Sequence, residues 1–449
     1  LNRQHSKSSV RKISDHSPLL SLGYFPLKAI LTKLQVKKYV DYFKLTTDFQ
    51  FDLYEMLSSL IYARAVNPCS KYKTFHEVLP NLFEPIQYSY DQLMDGLAFI
   101  GNEYQKFIEI FTVQTKKFFG LDTSKTYFDC TNFYFEIEQA EDDKQYGLSK
   151  ENRPLPIVEM GLFMDAEGIP LAFSINPGNQ NEQLSLIPLE KKLLTNFDLS
   201  KFVVCTDAGL SSSSNRKFND DIQGNRAFVT TQSLKKLKKF LKTWALDTEG
   251  WLLAGEIPEP GQKPKLYSLT KLDPEEDKEK IYYRSRWIKE DGLEQQMIVT
   301  YSLKYREYQE TIRNRQLERA LKAVKKGKSS IESKRQNDPK RFIRADHATA
   351  AGEVANKTSY YIDMNAVREE SIYDGFYAVC TNLEDDPLSI VKINKRRWEI
   401  EECFRIMKTD FSARPVYLRE ENRIKAHFLI CFLALTIYRY LEKKLDLKY

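Results

Sequence analysis

The chain has 449 residues, 42% hydrophobic and 13% aromatic, which is enough apolar material for two or three packed domains and excludes a disordered or low-complexity protein. The formal net charge of +6 is only mildly basic, and six scattered cysteines (Cys69, Cys130, Cys205, Cys380, Cys403, Cys431) exclude a disulfide framework. Five histidines (His5, His16, His76, His347, His427) form no metal-ligand cluster, which excludes a zinc site, so any metal must be held by oxygen.

Residues 1–18 are rich in Ser, Lys and Arg and read as a mobile basic tail. From 19 to 121 apolar residues recur at helical spacing, as in Leu53, Met56, Leu57, Leu60 and Ile61, with Pro68, Pro80 and Pro85 as interruptions. This is a helical amino-terminal region. The polar start carries no apolar signal block, and the longest apolar stretch, 428–438, falls short of the ~20 residues that cross a bilayer. A cytoplasmic protein without a membrane partner is expected.

The pattern then changes. Strands are predicted over 126–136, 157–165 and 169–176, the last two joined at Glu167-Gly168, followed by a helix at 181–194, a strand at 201–207, a helix at 211–222 and a strand at 227–231. The order β-β-β-α-β-α-β outlines an α/β, ribonuclease H-like core: a mixed five-stranded sheet flanked by helices. Between 232 and 371 the pattern gives way to a β-rich insertion, with a hairpin expected over 281–301 around Asp291-Gly292. The insertion also carries a basic segment, in which 14 Lys or Arg stand against 5 Asp or Glu between Leu303 and Arg344. Such a run suits a polyanion, and equally a solvated helix face. A returning strand at 376–381, a long helix at 386–408 and a last helix at 421–445 close the core, which thus comprises 122–231 and 372–449.

Asp129 and Asp207 each sit in or at the end of an apolar, β-branched and aromatic stretch, so each is a costly charge in want of a partner. Taken singly, each also reads as an ordinary strand-end or turn carboxylate. On the helix at 386–408, Arg397, Glu401 and Lys408 are spaced four and seven residues apart and fall within roughly 40° of one another on one face. That face presents an acid between two bases, whereas Glu402 turns about 100° away. A surface laced with salt bridges has the same spacing. Three carboxylates from separate stretches are hard oxygen ligands of the kind that hold two Mg²⁺ (or Mn²⁺) ions against a phosphate. Trp251 and Trp287 in the insertion read as core residues or as platforms for an unpaired base.

The chain resembles the DDE transposases of bacterial insertion sequences, in particular the IS-four-like group with a β-rich insertion between the second Asp and the Glu. The resemblance rests on Tyr127-Phe128-Asp129-Cys130-Thr131 with Phe135-Glu136, Gly147-Leu148-Ser149-Lys150, Gly168-Ile169-Pro170, Pro177-Gly178-Asn179 with Glu182, and Thr206-Asp207-Ala208-Gly209-Leu210. It continues through Tyr373-Asp374-Gly375-Phe376-Tyr377, then Arg397-Trp398-Glu399-Ile400-Glu401-Glu402 with Phe404-Arg405 and Lys408, and Arg414-Pro415-Val416-Tyr417. The resemblance implies that Asp129, Asp207 and Glu401 are catalytic and bind two metal ions, and that Asn394, Arg397, Arg405 and Lys408 contact DNA. Asn394 stands where the family has Tyr. It further implies binding of double-stranded DNA at the terminal inverted repeats and at the target, a homodimer in the synaptic complex, and hydrolysis followed by strand transfer. The helical region at 19–121 becomes a candidate DNA-binding domain. Two alternatives share this fold: a DNA-binding remnant, suggested by Asn394, by Leu1 as first residue and by the end at Tyr449, and a ribonuclease H-like nuclease without strand transfer.

Overall fold

The computed structural model describes residues 20–196, 202–221, 223, 225–259, 261–326, 339–348 and 354–446. The basic tail expected at 1–18, and part of the basic segment, lie outside the described residues. The backbone divides into two units, Leu1–Ala227 with Arg396–Tyr449, and Phe228–Lys395.

The first unit opens with helices α1 (Phe25–Lys33), α2 (Lys37–Phe43), α3 (Leu53–Val66), the single turn α4 (Lys71–Lys73), α5 (Tyr90–Asn102) and α6 (Tyr104–Phe119). Local chemistry sets their ends. The Asp52 carboxylate accepts the Glu55 N–H at 2.9 Å to start α3, and Ser89 with Gln92 forms a reciprocal capping box on α5. Gly120 at φ +70° stops α6.

Three antiparallel strands follow, β1 (Thr126–Tyr134), β2 (Ile157–Met164) and β3 (Pro170–Pro177). The tight turn between β2 and β3 is built by Asp165, whose Oδ1 accepts the N–H groups of Glu167 and Ile169 around Gly168 at φ +81°. After α7 (Leu186–Asn196), β4 (Phe202–Thr206) lies parallel to β1, with Thr126 opposite Val204 and Tyr127 opposite Cys205; α8 (Ser213–Phe218) follows. An antiparallel meander with a parallel fourth strand beside its first member is the ribonuclease H-like arrangement that the sequence order predicts.

β5 (Arg226–Thr231) leads into the second unit, which contains α9 (Lys239–Leu246), β6 (Leu252–Leu253), β7 (Tyr282–Glu290), β8 (Leu293–Tyr301), α10 (Leu303–Lys326), β9 (Ile343–Ala348), β10 (Val354–Ile362), α11 (Met364–Ser371), β11 (Phe376–Thr381) and α12 (Pro387–Lys395). β7 and β8 form the expected hairpin: Asp291 (φ +53°) and Gly292 (φ +80°) make its two-residue turn, and Glu290 pairs with Leu293. The strands run β5-β11-β8-β7-β6, so the inserted hairpin extends the sheet through β11 instead of forming a sheet of its own. β9 and β10 pair separately as a ribbon.

The chain returns to the first unit with α13 (Trp398–Arg405), a π-helical turn at Ile406–Asp410 and α14 (Glu421–Asp446). The single helix expected at 386–408 is therefore corrected to two helices and a widened turn. The ladder tightens at the break, where Glu399 and Ile400 donate to the carbonyls of Arg396 and Arg397, three residues back. α14 has the length and apolarity of a membrane span, yet most of it is buried against α3, α5 and β3. It is the central core helix of this unit.

Candidate active site

The pairing of β1 with β4 places Asp129 and Asp207 together. Tyr127 is level with Cys205, and Asp129 and Asp207, each two residues further along its stretch with Asp207 just past the end of β4, come close enough for the charge of Asp207 to act on Asp129. The charges sense each other. Burial lifts the Asp129 carboxyl to about 6; Lys150 draws it down, Asp207 adds to the rise and Arg397 opposes it. The backbone N–H of Cys130 donates to Asp129 Oδ1 at 2.8 Å, and that of Leu210 to Asp207 Oδ1 at 2.9 Å. Gly209 leaves the second carboxylate clear, because a Cβ there would stand 3.3 Å from both of its oxygens.

Lys150 is the group that the sequence reading left without a role. It reaches the Cys130 carbonyl and lies 3.0 Å from Glu182 Oε1. Burial works against its ammonium, but Asp129 and Glu182 together hold its pKa above the ordinary lysine value. Beside it, burial and then Glu182 push the carboxyl of Glu159 up to about 7. Asn132, Glu159, Glu182 and Gly209 border a cavity of ≈ 250 Å³ at this edge. The Gly147-to-Lys150 and Pro177-to-Glu182 fragments carry these residues, and their meeting depends on the meander, which spacing alone does not reveal.

Arg397 stands at the start of α13, and its Nη2 lies 3.9 Å from Asp129 Oδ2, with both side chains 14% exposed. Glu401 is exposed one turn further along α13. Lys408, on the π-helical turn, is 3.6 Å from Glu151 Oε1, a carboxylate that also pairs with Arg414. Burial lowers the Lys408 ammonium to about 8; Lys150 lowers it further and Asp129 opposes. Arg405 is on the surface, bonded to Glu402 at 2.7 and 2.8 Å and to Asp410 at 3.1 Å. Glu399, between these candidates, is a structural acid: it pairs with Arg396 at 2.9 Å and Arg439 at 3.2 Å. Asn394 belongs to the second unit, where it is buried at 1% exposure and its carbonyl accepts from Thr231 Oγ1 at 3.1 Å and from the Tyr377 hydroxyl.

The donor chemistry suits a hard cation at the aspartate pair: of two neighbouring carboxylates, one is raised by burial and further by the other's charge, and a divalent ion would relieve it. Among the described residues no three His, Cys, Asp or Glu side chains converge closely enough to hold a metal ion. Glu401 is thus positioned by its helix and not drawn in to the pair.

The meander and the parallel fourth strand beside its first member give the chain a ribonuclease H-like fold. Residues 291–437 match the family described as transposase DDE domain. The matched stretch includes Arg397, Glu401, Arg405 and Lys408 and does not extend to Asp129 or Asp207. No curated protein matches the chain. Among solved structures, a cryo-EM piggyBac transposase synaptic complex with hairpin DNA is similar at 9% identity over 94% of this chain and 75% of its own, with a TM-score of 0.44. So distant a likeness carries no weight in the assignment.

Proposed function

We propose that the chain is an insertion-sequence transposase of the IS-four-like kind, which binds the terminal inverted repeats of its element as a homodimer and carries out metal-dependent cleavage and strand transfer. The observation that carries this reading is the neighbouring pair Asp129–Asp207 beside the β1–β4 ladder, tied through Arg397 to the helix that presents Glu401. Asp129 and Asp207 would hold the divalent ions with Glu401 as third ligand, the last swinging in from its exposed position. Bound there, Mg²⁺ or Mn²⁺ supplies an activated water and charge relief at the phosphate.

The remaining work falls to the chain's own bases. Arg397 offers a planar fork for a phosphate next to the cut, and Lys408 a point charge. Lys150 keeps Asp129 ionised near neutral pH by opposing the effect of burial. Arg405 and the basic run of α10 would meet DNA further from the cut, and Asn394 would act by holding α12 against Tyr377 and Thr231. The protein would work in the cytoplasm, where its target DNA lies.

Duplexes carrying the ends of the element test the proposal. Nicking should appear with Mg²⁺ or Mn²⁺, vanish with EDTA, and fall to background in Asp129→Ala and Glu401→Ala, while duplex binding persists and weakens steeply with salt. Cleavage that survives both substitutions would reject the assignment. The dispersed position of Glu401 favours one second reading, a DNA-binding protein with impaired cleavage. That protein would bind the same duplexes equally with and without metal and never cut them.

A further inference from the structure

The first unit holds a second site, with the opposite electrostatics. A cavity of ≈ 610 Å³, within the range of small-molecule pockets, has neither Asp nor Glu in its described lining. Arg64, Lys71 and Arg414 contribute to its walls, and Tyr72, Tyr90 and Tyr417 bring three aromatic rings.

Arg64 and Lys71 are buried, at 3% and 6% exposure. Arg64 donates to the carbonyls of Phe411 and Cys69, both at 3.0 Å, and its Nε has no acceptor. Lys71 has no hydrogen-bond or ion-pair partner among the described residues; Arg64, Cys69 and Cys431 act on its charge, and His427 feels it in turn. Burial and the neighbouring Arg64 push its ammonium down to about 7. His427 lies under the same two cations and, through burial first and then their charges, is held neutral. Two adjacent buried cations without a counter-ion are expensive, and an anion between them would remove the cost. In the lining, Tyr72 and Tyr417 are 60% and 66% exposed, and the Tyr72 ring already packs against His76 at 4.4 Å and Tyr90 at 5.8 Å, so a base would add to an existing aromatic cluster. Arg414 in the lining pairs with Glu151, and Glu151 with Lys408, so the cavity is linked to the proposed catalytic residues.

We propose that this cavity seats one nucleotide of unpaired DNA, its phosphate on Lys71 and Arg64 and its base against the tyrosines of the lining. The identity of the strand rests on the transposase reading; the preference for a phosphate with a stacking base rests on the cavity alone. A single strand freed beside Asp129 would need to be held somewhere, and this cavity is one carboxylate away from Lys408.

The test measures anisotropy of a labelled oligothymidylate on the full chain, with dTMP and inorganic phosphate as competitors. Lys71→Met should weaken oligonucleotide binding roughly tenfold or more, the loss of a charge-assisted contact, and Tyr72→Ala should weaken it by a smaller factor. Lys71→Met should not lower the melting temperature, since it removes an unpaired buried charge. Unchanged affinity with a lowered melting temperature would make Lys71 a structural residue and overturn the proposal. Competition by dTMP as strong as by the oligonucleotide would reassign the site to free nucleotides and overturn the strand assignment. End-duplex cleavage assayed on the same preparations separates the two readings. Cleavage without Lys71-dependent oligonucleotide binding sinks the cavity alone, whereas Lys71-dependent binding without cleavage sinks the transposase reading and leaves the cavity.

Discussion

Arg397 Nη2 lies 3.9 Å from Asp129 Oδ2, and that ion pair joins the start of α13 to the middle of β1. It fixes where the next turn of the helix, with Glu401, stands relative to the aspartates. Because the guanidinium holds the Asp129 carboxyl down against burial, Arg397→Ala should move the acid limb of the cleavage–pH profile upward. Arg397→Lys should move it less and still lose phosphate positioning. An unmoved limb in Arg397→Ala would show that the pair has no part in setting the charge of Asp129.

Asp129 also makes a stability prediction. Its carboxyl titrates at about 6 in the folded chain and at the ordinary 3.8 when exposed. Below pH 3.8 it is neutral in both states and contributes nothing. Above pH 6 it is ionised in both, and the folded state bears a penalty on the order of 3 kcal/mol. Asp129→Asn should therefore melt higher than the parent at pH 7.5, with the gain shrinking as pH falls through 6 and gone near 4. Thermal melts across that range check it.

Much of the core was legible in the sequence because strands with one buried charge are conspicuous. Asp129 and Asp207 stand out from apolar runs, and the Asp291-Gly292 turn announces its hairpin through residues that tolerate positive φ. The break at 396–397 was not legible: neither Pro nor Gly marks it. It arises where consecutive arginines take different partners, Arg396 with Glu399 and Arg397 with Asp129. The burial of Asn394 was hidden for the same reason, since Thr231 and Tyr377 are far away in sequence. Lys150 acquires its place only when the meander folds.

The β2–β3 turn is predicted to be intolerant. Gly168 adopts φ +81°, and a Cβ there would run into the carboxylate of Glu399 and the guanidinium of Arg439. Gly168→Ala should cost about 1–3 kcal/mol from backbone strain alone, and more as the Glu399–Arg439 pair is displaced. Urea unfolding would register it as a lower midpoint at unchanged slope.

Lys408 should make DNA binding sensitive to alkali. Its ammonium titrates at about 8, so it is charged at neutral pH and increasingly neutral above that value. A phosphate at this site would favour the charged form. Affinity for end duplexes should fall by roughly tenfold between pH 7 and 9.5 in the parent and stay flat in Lys408→Met. Fluorescence anisotropy at constant ionic strength distinguishes the two.

In the proposed function Asp129, Asp207 and Glu401 grip divalent metal together when DNA is present. Titration of Mn²⁺ into the complex with end duplex, followed by electron paramagnetic resonance, reads it directly. Bound Mn²⁺ is expected in the parent, and its loss in each of Asp129→Ala, Asp207→Ala and Glu401→Ala. Equal Mn²⁺ binding by the parent and all three variants would contradict it.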